Sequence, residues 1–194
     1  NSTKYEWKTL IGHTNKINHM TFEVGHLFSA SQDCTLRQWN VETETCVRIY
    51  KFKILSPTQL STKAQFAVHW VRDKIVRAID LKTGEIDRSF VASREAINCL
   101  HLWDKWLFVA GIDPVIRAYD LTTGAVKTFE GHRSWILNLT TNITLKEDGS
   151  IKNQWLYSAC DDGSIRIWDI ATTKCLEDLQ GHKNGVTQMV FCNN

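Results

Sequence analysis

Apolar and polar residues alternate along this chain in short runs, and each run stops at a cluster of turn-forming residues. The clearest case is Leu27 to Asn40. Small and apolar residues fill Leu27 to Ser31, a tight turn falls at Gln32-Asp33-Cys34, and Leu36/Gln38 alternate with Arg37/Trp39 after it. The same phrase returns from Leu156 to Asp169, with its turn at Asp161-Asp162-Gly163. Less regular copies run from Phe66 to Asp80 and from Leu107 to Asp120. The turn acids Asp33, Asp73 and Asp113 are spaced by 40 and 40, and Asp162 follows after 49. A fixed period of about 40 residues is the mark of a repeat architecture. The pattern predicts an all-β stack of hairpin units.

Each unit gains a strand on either side of its hairpin. The first is expected over 15–51, with an inner strand at Ile17–Phe22 and an outer strand at Thr45–Tyr50. The second, over 54–91, must draw its inner strand from Ile54–Thr62, although Pro57 interrupts it and proline is tolerated only at strand ends, edges or bulges. The third, over 95–130, has strands at Ala96–Leu102 and Val126–Glu130. The fourth, over 135–180, carries ten extra residues within Thr140–Gln154, a surface insertion with its tip at Glu147-Asp148-Gly149-Ser150. Tyr5–Leu10 reads as the outer strand of a preceding unit, and residues 185–194 as the start of a following one, with a strand at Val186–Phe191.

Gly12-His13, Gly131-His132 and Gly181-His182 stand ahead of these units, and Trp39-Asn40 and Trp168-Asp169 close two of them. Single dipeptides mean little, since Gly25-His26 and Trp103-Asp104 are out of register; recurrence in register carries the signal. In these features the chain resembles the WD40 repeats over nearly its whole length. The resemblance implies a β-propeller with four complete four-stranded blades and a partial blade at each end. Two orphan strands supply only half a blade, so the expectation is a fragment of a larger, seven-bladed propeller whose remaining blades are its partners. The phrase Gly181 to Thr187 is also similar to one in propellers of nuclear zinc-finger proteins, which implies a place in nuclear RNA biology.

The resemblance further implies two hydrogen-bonded tetrads, His13, Ser29, Asp33, Trp39 and His132, Ser158, Asp162, Trp168, acting as internal braces. A Ser-His-Asp set invites a catalytic reading, but it recurs at blade spacing and no glycine elbow surrounds either serine. WD40 proteins hold partners on one rim of the channel. Register places Lys16, Arg72, Arg94, Arg133, Trp135 and Lys183 there, a basic rim with an aromatic anchor for another protein, an acidic peptide or RNA. Substrate receptors of ubiquitin ligases are a further class, but their adaptor arginine is replaced by Glu42, Thr122 and Ala171.

Composition narrows the rest. A net charge of +2 gives no strong overall pull toward nucleic acid or membrane. The longest apolar run, Trp106 to Ile112, is too short to cross a bilayer, and no secretory leader opens the chain. Cys34, Cys46, Cys99, Cys160, Cys175 and Cys192 form no Cys-x-x-Cys pair, so free thiols in a reducing, intracellular setting are expected, cytoplasmic or nuclear. Asn138-Leu139-Thr140 and Asn142-Ile143-Thr144 fit the glycosylation sequon, which matters only in a secreted protein. No metal or cofactor is expected: His13, His69 and His132 lack ligand spacing, and no glycine-rich phosphate loop appears.

Overall fold

The computed structural model describes residues 7–23, 25–52, 59–63, 66–70, 75–91, 95–145 and 151–191. The described residues form four four-stranded antiparallel sheets. The first holds β1 (Ile17–Glu23), β2 (His26–Ser31), β3 (Thr35–Asn40) and β4 (Thr45–Lys51) in that order. The second holds β5 (Gln59–Lys63), β6 (Phe66–Trp70), β7 (Ile75–Asp80) and β8 (Ile86–Val91). The third holds β9 (Ile97–Trp103), β10 (Trp106–Gly111), β11 (Ile116–Asp120) and β12 (Val126–Phe129). The fourth holds β13 (Ile136–Leu145), β14 (Ile151–Cys160), β15 (Ile165–Asp169) and β16 (Cys175–Leu179). This is the four-strand blade of a propeller, repeated.

The chain divides into two compact units, one of Asn1–Val71 with Arg77–Arg88 and one of Arg72–Val76 with Ser89–Asn194. In the first, Phe28, Leu36, Tyr50 and Ile79 form the core. In the second, Phe108, Phe129, Ile136, Leu156 and Trp168 are fully buried together, with Phe129 meeting Trp168 edge-on at 6.0 Å between centroids. These are the inward positions of the alternation, so the period-2 pattern is what places the core between blades.

The turn after the third strand of each blade is built one way. A side-chain oxygen at the strand end accepts backbone N–H groups: Asn40 Oδ1 from Glu42 and Thr43, Asp80 Oδ1 from Lys82 and Thr83, and Asp120 Oδ1 from Thr122 and Thr123. Asp169 Oδ1 accepts from Thr172 N at 2.6 Å. The carbonyls left pointing outward take a cation from the neighbouring segment. Arg48 donates to the carbonyls of Leu81, Lys82 and Thr83 in the first unit, and Lys127 to those of Ile170 and Ala171 in the second.

Several expectations change. Residues 7–10 form no strand, and residues 185–191, expected to include one at Val186–Phe191, enter no ladder. A strand exists only where a neighbour pairs its N–H and C=O groups, and no described neighbour does so here. The second inner strand begins at Gln59, and residues 54–58 lie outside the described residues, as do 5–6, Asp73 and the tip 147–150. The described part of the insertion, expected as a surface excursion with a hairpin tip at 147–150, is ladder: pairing runs on through Asn142↔Trp155 and Thr144↔Asn153 to Leu145↔Ile151. Among the described cysteines all are free, Cys99 and Cys160 buried but Cys175 exposed; Cys192 lies outside them.

The fourth residue after each turn acid or amide has positive φ: Glu44 at 58°, Gly84 at 83°, Gly124 at 76° and Thr173 at 61°. A β-branched side chain is the worst occupant of that conformation. Thr173→Gly is therefore expected to stabilise the protein by about 1 kcal/mol in urea melts, and Gly124→Thr to destabilise it by a similar amount. Opposite or null shifts would contradict the shared turn geometry.

Candidate functional site

The first tetrad lies wholly within the first unit. Trp39 Nε1 donates to Ser29 Oγ at 2.7 Å, and the same hydroxyl meets His13 Nε2 at 2.7 Å. The other ring nitrogen, Nδ1, meets Asp33 Oδ2 at 2.7 Å. Thr14 N donates to that oxygen at 3.1 Å, while Thr35 N and its hydroxyl donate to Oδ1. Burial alone would raise the Asp33 pKa, but the bonds from Thr35, His13 and Thr14 overcome it and hold the carboxyl well below its ordinary range. The relay ties the Gly12-His13 approach to β2, the turn and β3 at once.

The second tetrad is differently wired. Trp168 Nε1 donates to Ser158 Oγ at 2.8 Å and His132 Nε2 meets the same hydroxyl at 2.5 Å, but His132 Nδ1 is buried without a hydrogen bond. Asp162 is engaged elsewhere, by Ser164 N at 2.9 Å, by the Ser164 hydroxyl at 2.6 Å and by the Cys160 thiol. The blades differ at one neighbouring position: Cys160 pairs across from Ile136 as Ser31 does from Ile17, and the Ser31 hydroxyl instead donates to Asn15 O at 3.1 Å. The Ser31/Cys160 difference was visible in the sequence, but the wiring of the second tetrad was not.

Burial, assisted by the Arg166 charge, pushes the His132 pKa down to about 4. Both tetrads also need the glycine before histidine. A Cβ on Gly12 would lie 2.9 Å from the Trp39 ring and would strike the Arg37 guanidinium; one on Gly131 would strike Arg166. Arg-x-Trp on the third strand and Gly-His on the incoming segment are thus one interlocking part.

The tetrad reproduces Ser-His-Asp connectivity but has no room for a substrate. Ser29 and Ser158 are 1% and 0% exposed, and each hydroxyl is already held by an indole. Among the described residues no three His, Cys, Asp or Glu side chains converge as a metal site would require.

The rim residues do not come together as a described basic face. Arg72 and Arg94 lie outside the described residues, and Lys16 is an exposed residue of the first unit. The second unit brings Arg133, Trp135 and Lys183 to one end of its blades. Trp135 O accepts from Asp161 N at 2.8 Å, and Gly185, two residues after Lys183, lies against Asp161. Ile112, with its N–H bonded to Ala96 O at 3.0 Å, is another exposed apolar loop residue of this unit. Asp161, the opposing charge expected on this face, is exposed, and Glu95, which the sequence reading did not include, is a second exposed acid of this unit.

Two outcomes follow from the tetrads. Asp33→Ala breaks the bond to His13 and is expected to cost about 1–3 kcal/mol, more than Asp162→Ala. Equal shifts in urea midpoint would contradict the different wiring. Folded His132 binds a proton less readily than unfolded histidine, so its contribution is full above pH 6.5 and falls as pH drops toward 4, by up to about 3 kcal/mol. An NMR titration placing the His132 midpoint near 6.5 would contradict this.

The WD domain, G-beta repeat family (WD40) matches residues 5–40 and 124–169. The nuclear distribution protein nudF of Aspergillus niger is 25% identical over 175 residues, covering 85% of this chain and 38% of nudF. The protein described as "Probable E3 ubiquitin ligase complex SCF subunit sconB" of Emericella nidulans is 24% identical over 183 residues, covering 92% of this chain and 22% of sconB. The chain therefore spans well under half the length of these curated relatives. The crystal structure of the RRP9 WD40 repeats superposes with a TM-score of 0.74 at 17% identity, over 91% of this chain and 55% of that one. No described helix is long and apolar enough to cross a membrane. Two stretches of the chain thus match the WD40 repeat, and its fold is that of the WD40 β-propellers.

Proposed function

We propose that this chain is a non-enzymatic, intracellular scaffold that holds another protein on the rim of its second unit, with Trp135 as the anchor. The observation that supports this most is the state of Trp135. Its side chain is 50% exposed, while its carbonyl is bonded to Asp161 and the next residue, Ile136, is fully buried. A large apolar ring on fixed backbone is the kind of residue on which interface energy concentrates, because little conformational freedom remains to be lost. Ile112, Arg133, Lys183, Glu95 and Asp161 are further exposed loop residues of the second unit, and they bring charges of both signs. Mixed charge favours a protein partner over RNA, whose phosphates need a cationic surplus.

The likeness to nudF and to an SCF subunit is a likeness to proteins named for assemblies, which agrees with a scaffold. A ubiquitin-ligase receptor is disfavoured by Glu42, Thr122 and Ala171 at the positions of the adaptor arginine. The cytoplasm or nucleus fits the unpaired cysteines.

The test compares the wild-type chain with Trp135→Ala and with the pair Arg133→Glu and Lys183→Glu. Proteins that cross-link to a photoreactive residue placed at Arg133 should be lost at least tenfold in Trp135→Ala, with little change in melting temperature. Labelled oligouridine should show no saturable anisotropy change. Undiminished cross-linking in Trp135→Ala would overturn the anchor. Salt-sensitive RNA binding that the charge reversals abolish would replace the protein-scaffold reading with an RNA-binding one.

A further inference from the structure

Asp33 and Asp162 are held alike at one carboxylate oxygen. Thr35 N and its hydroxyl donate to Asp33 Oδ1, and Ser164 N and its hydroxyl donate to Asp162 Oδ1. What remains of each carboxylate goes to different partners. Asp33 Oδ2 meets His13 Nδ1 at 2.7 Å and accepts from Thr14 N at 3.1 Å. Asp162 receives the Cys160 thiol, and no hydrogen bond reaches His132 Nδ1.

The residue two places before each acid parallels this split. Asp33 N donates to Ser31 Oγ at 3.1 Å, and Asp162 N donates in the same way to Cys160 Sγ. The one proton that each group can give then goes in opposite directions. Ser31 gives it to Asn15 O, on the segment that follows His13. Cys160 gives it to the Asp162 carboxylate, and its sulfur accepts the N–H of Ser134, the residue equivalent to Asn15. A thiol is a weak donor and finds its best acceptor in a charged carboxylate, whereas a hydroxyl bonds a neutral carbonyl well. The segment after the histidine therefore docks through a carbonyl on a hydroxyl in the first unit, and through an N–H on a sulfur in the second. Cys160 and His132 are both buried, where a ring nitrogen without a partner is costly.

We propose that Cys160 is a positioning residue of the Trp135 rim: its thiol keeps Asp162 off His132, and its sulfur seats the loop that carries Trp135. The bearing on binding rests on the reading of Trp135 as the anchor. Two bonds fix that loop, Ser134 N to Cys160 Sγ and Asp161 N to Trp135 O, and they come from consecutive residues of β14 and its turn. With the thiol gone, Ser134 N loses its acceptor and Asp162 is released to His132, as Asp33 is bonded to His13. The charges that act on His132 are Arg166 from β15, Asp162 from the turn and Asp178 from β16. Arg166 is already paired with Asp178 at 2.9 Å, and Asp162 is exposed, which leaves Asp162 as the charge that can move.

NMR titration of His132 in the full chain tests this. Cys160→Ala should raise its midpoint from about 4 by about one pH unit or more, because an approaching carboxylate favours the imidazolium form. Cys160→Ser, which keeps a polar group in the buried site, should raise it too, since a hydroxyl can turn to the loop carbonyl as Ser31 does. Adding Asp162→Asn to Cys160→Ala should return the midpoint to its wild-type value. The Ser134 amide should exchange with solvent about tenfold faster in Cys160→Ala, the effect of one lost hydrogen bond. Neither readout involves a partner, so both stand whether or not Trp135 is the anchor. An unchanged midpoint in Cys160→Ala and Cys160→Ser would overturn the proposal. So would a rise that persists with Asp162→Asn, which means water entering a loosened core, or a Ser134 amide that exchanges at the wild-type rate.

Discussion

A buried indole N–H has to find an acceptor, and in this protein that need organises whole blades. Trp39 and Trp168 are 2% and 0% exposed, and each N–H is satisfied only by a serine hydroxyl on the neighbouring strand. The hydroxyl is held in turn by an imidazole that arrives from a preceding segment after a glycine. An unmade bond in such a place costs about 1–3 kcal/mol, so the incoming segment, the second strand and the third strand must settle together. The arginine two residues before each tryptophan adds a steric condition, because its guanidinium occupies the space a side chain at Gly12 or Gly131 would need.

Much of this could be read from residue order. The period-2 alternation, the recurring turn acids and the Gly-His and Trp positions specified four hairpin units, and the four residues of the first tetrad, implied by the resemblance to WD40 repeats, are bonded to one another. The second tetrad shows the limit. Its four residue types are right, yet Asp162 turns to Ser164 and to Cys160 and leaves His132 Nδ1 unpaired. A residue-type pattern says which atoms can bond, not which of several reachable partners is taken. The length of the β13–β14 ladder was less legible than its hairpin: polar residues such as Thr140, Thr141 and Asn142 carry little strand signal until a partner strand pairs with them. Arg72 and Arg94 of the expected basic rim lie outside the described residues, and Glu95, which the motif register did not single out, is an exposed acid of the second unit.

The two units present different opportunities. In the second, a rigid ring at Trp135 stands beside charges of both signs, a surface made by backbone that the tetrad and the inter-strand bonds hold still. In the first, β1 follows directly on the segment that carries His13 and is an edge strand with Met20 and Phe22 more than half exposed.

The central claim is that the Trp-Ser-His relay is a closed internal brace that opens only when its blade unfolds. Hydrogen exchange of the Trp39 and Trp168 indole N–H groups, followed by NMR at neutral pH, tests it most directly. The account predicts protection of both to the level of the most protected backbone amides of β2 and β14, collapsing in Ser29→Ala and Ser158→Ala respectively. Indole exchange as fast as that of the exposed Trp135 ring in the wild-type protein would contradict it.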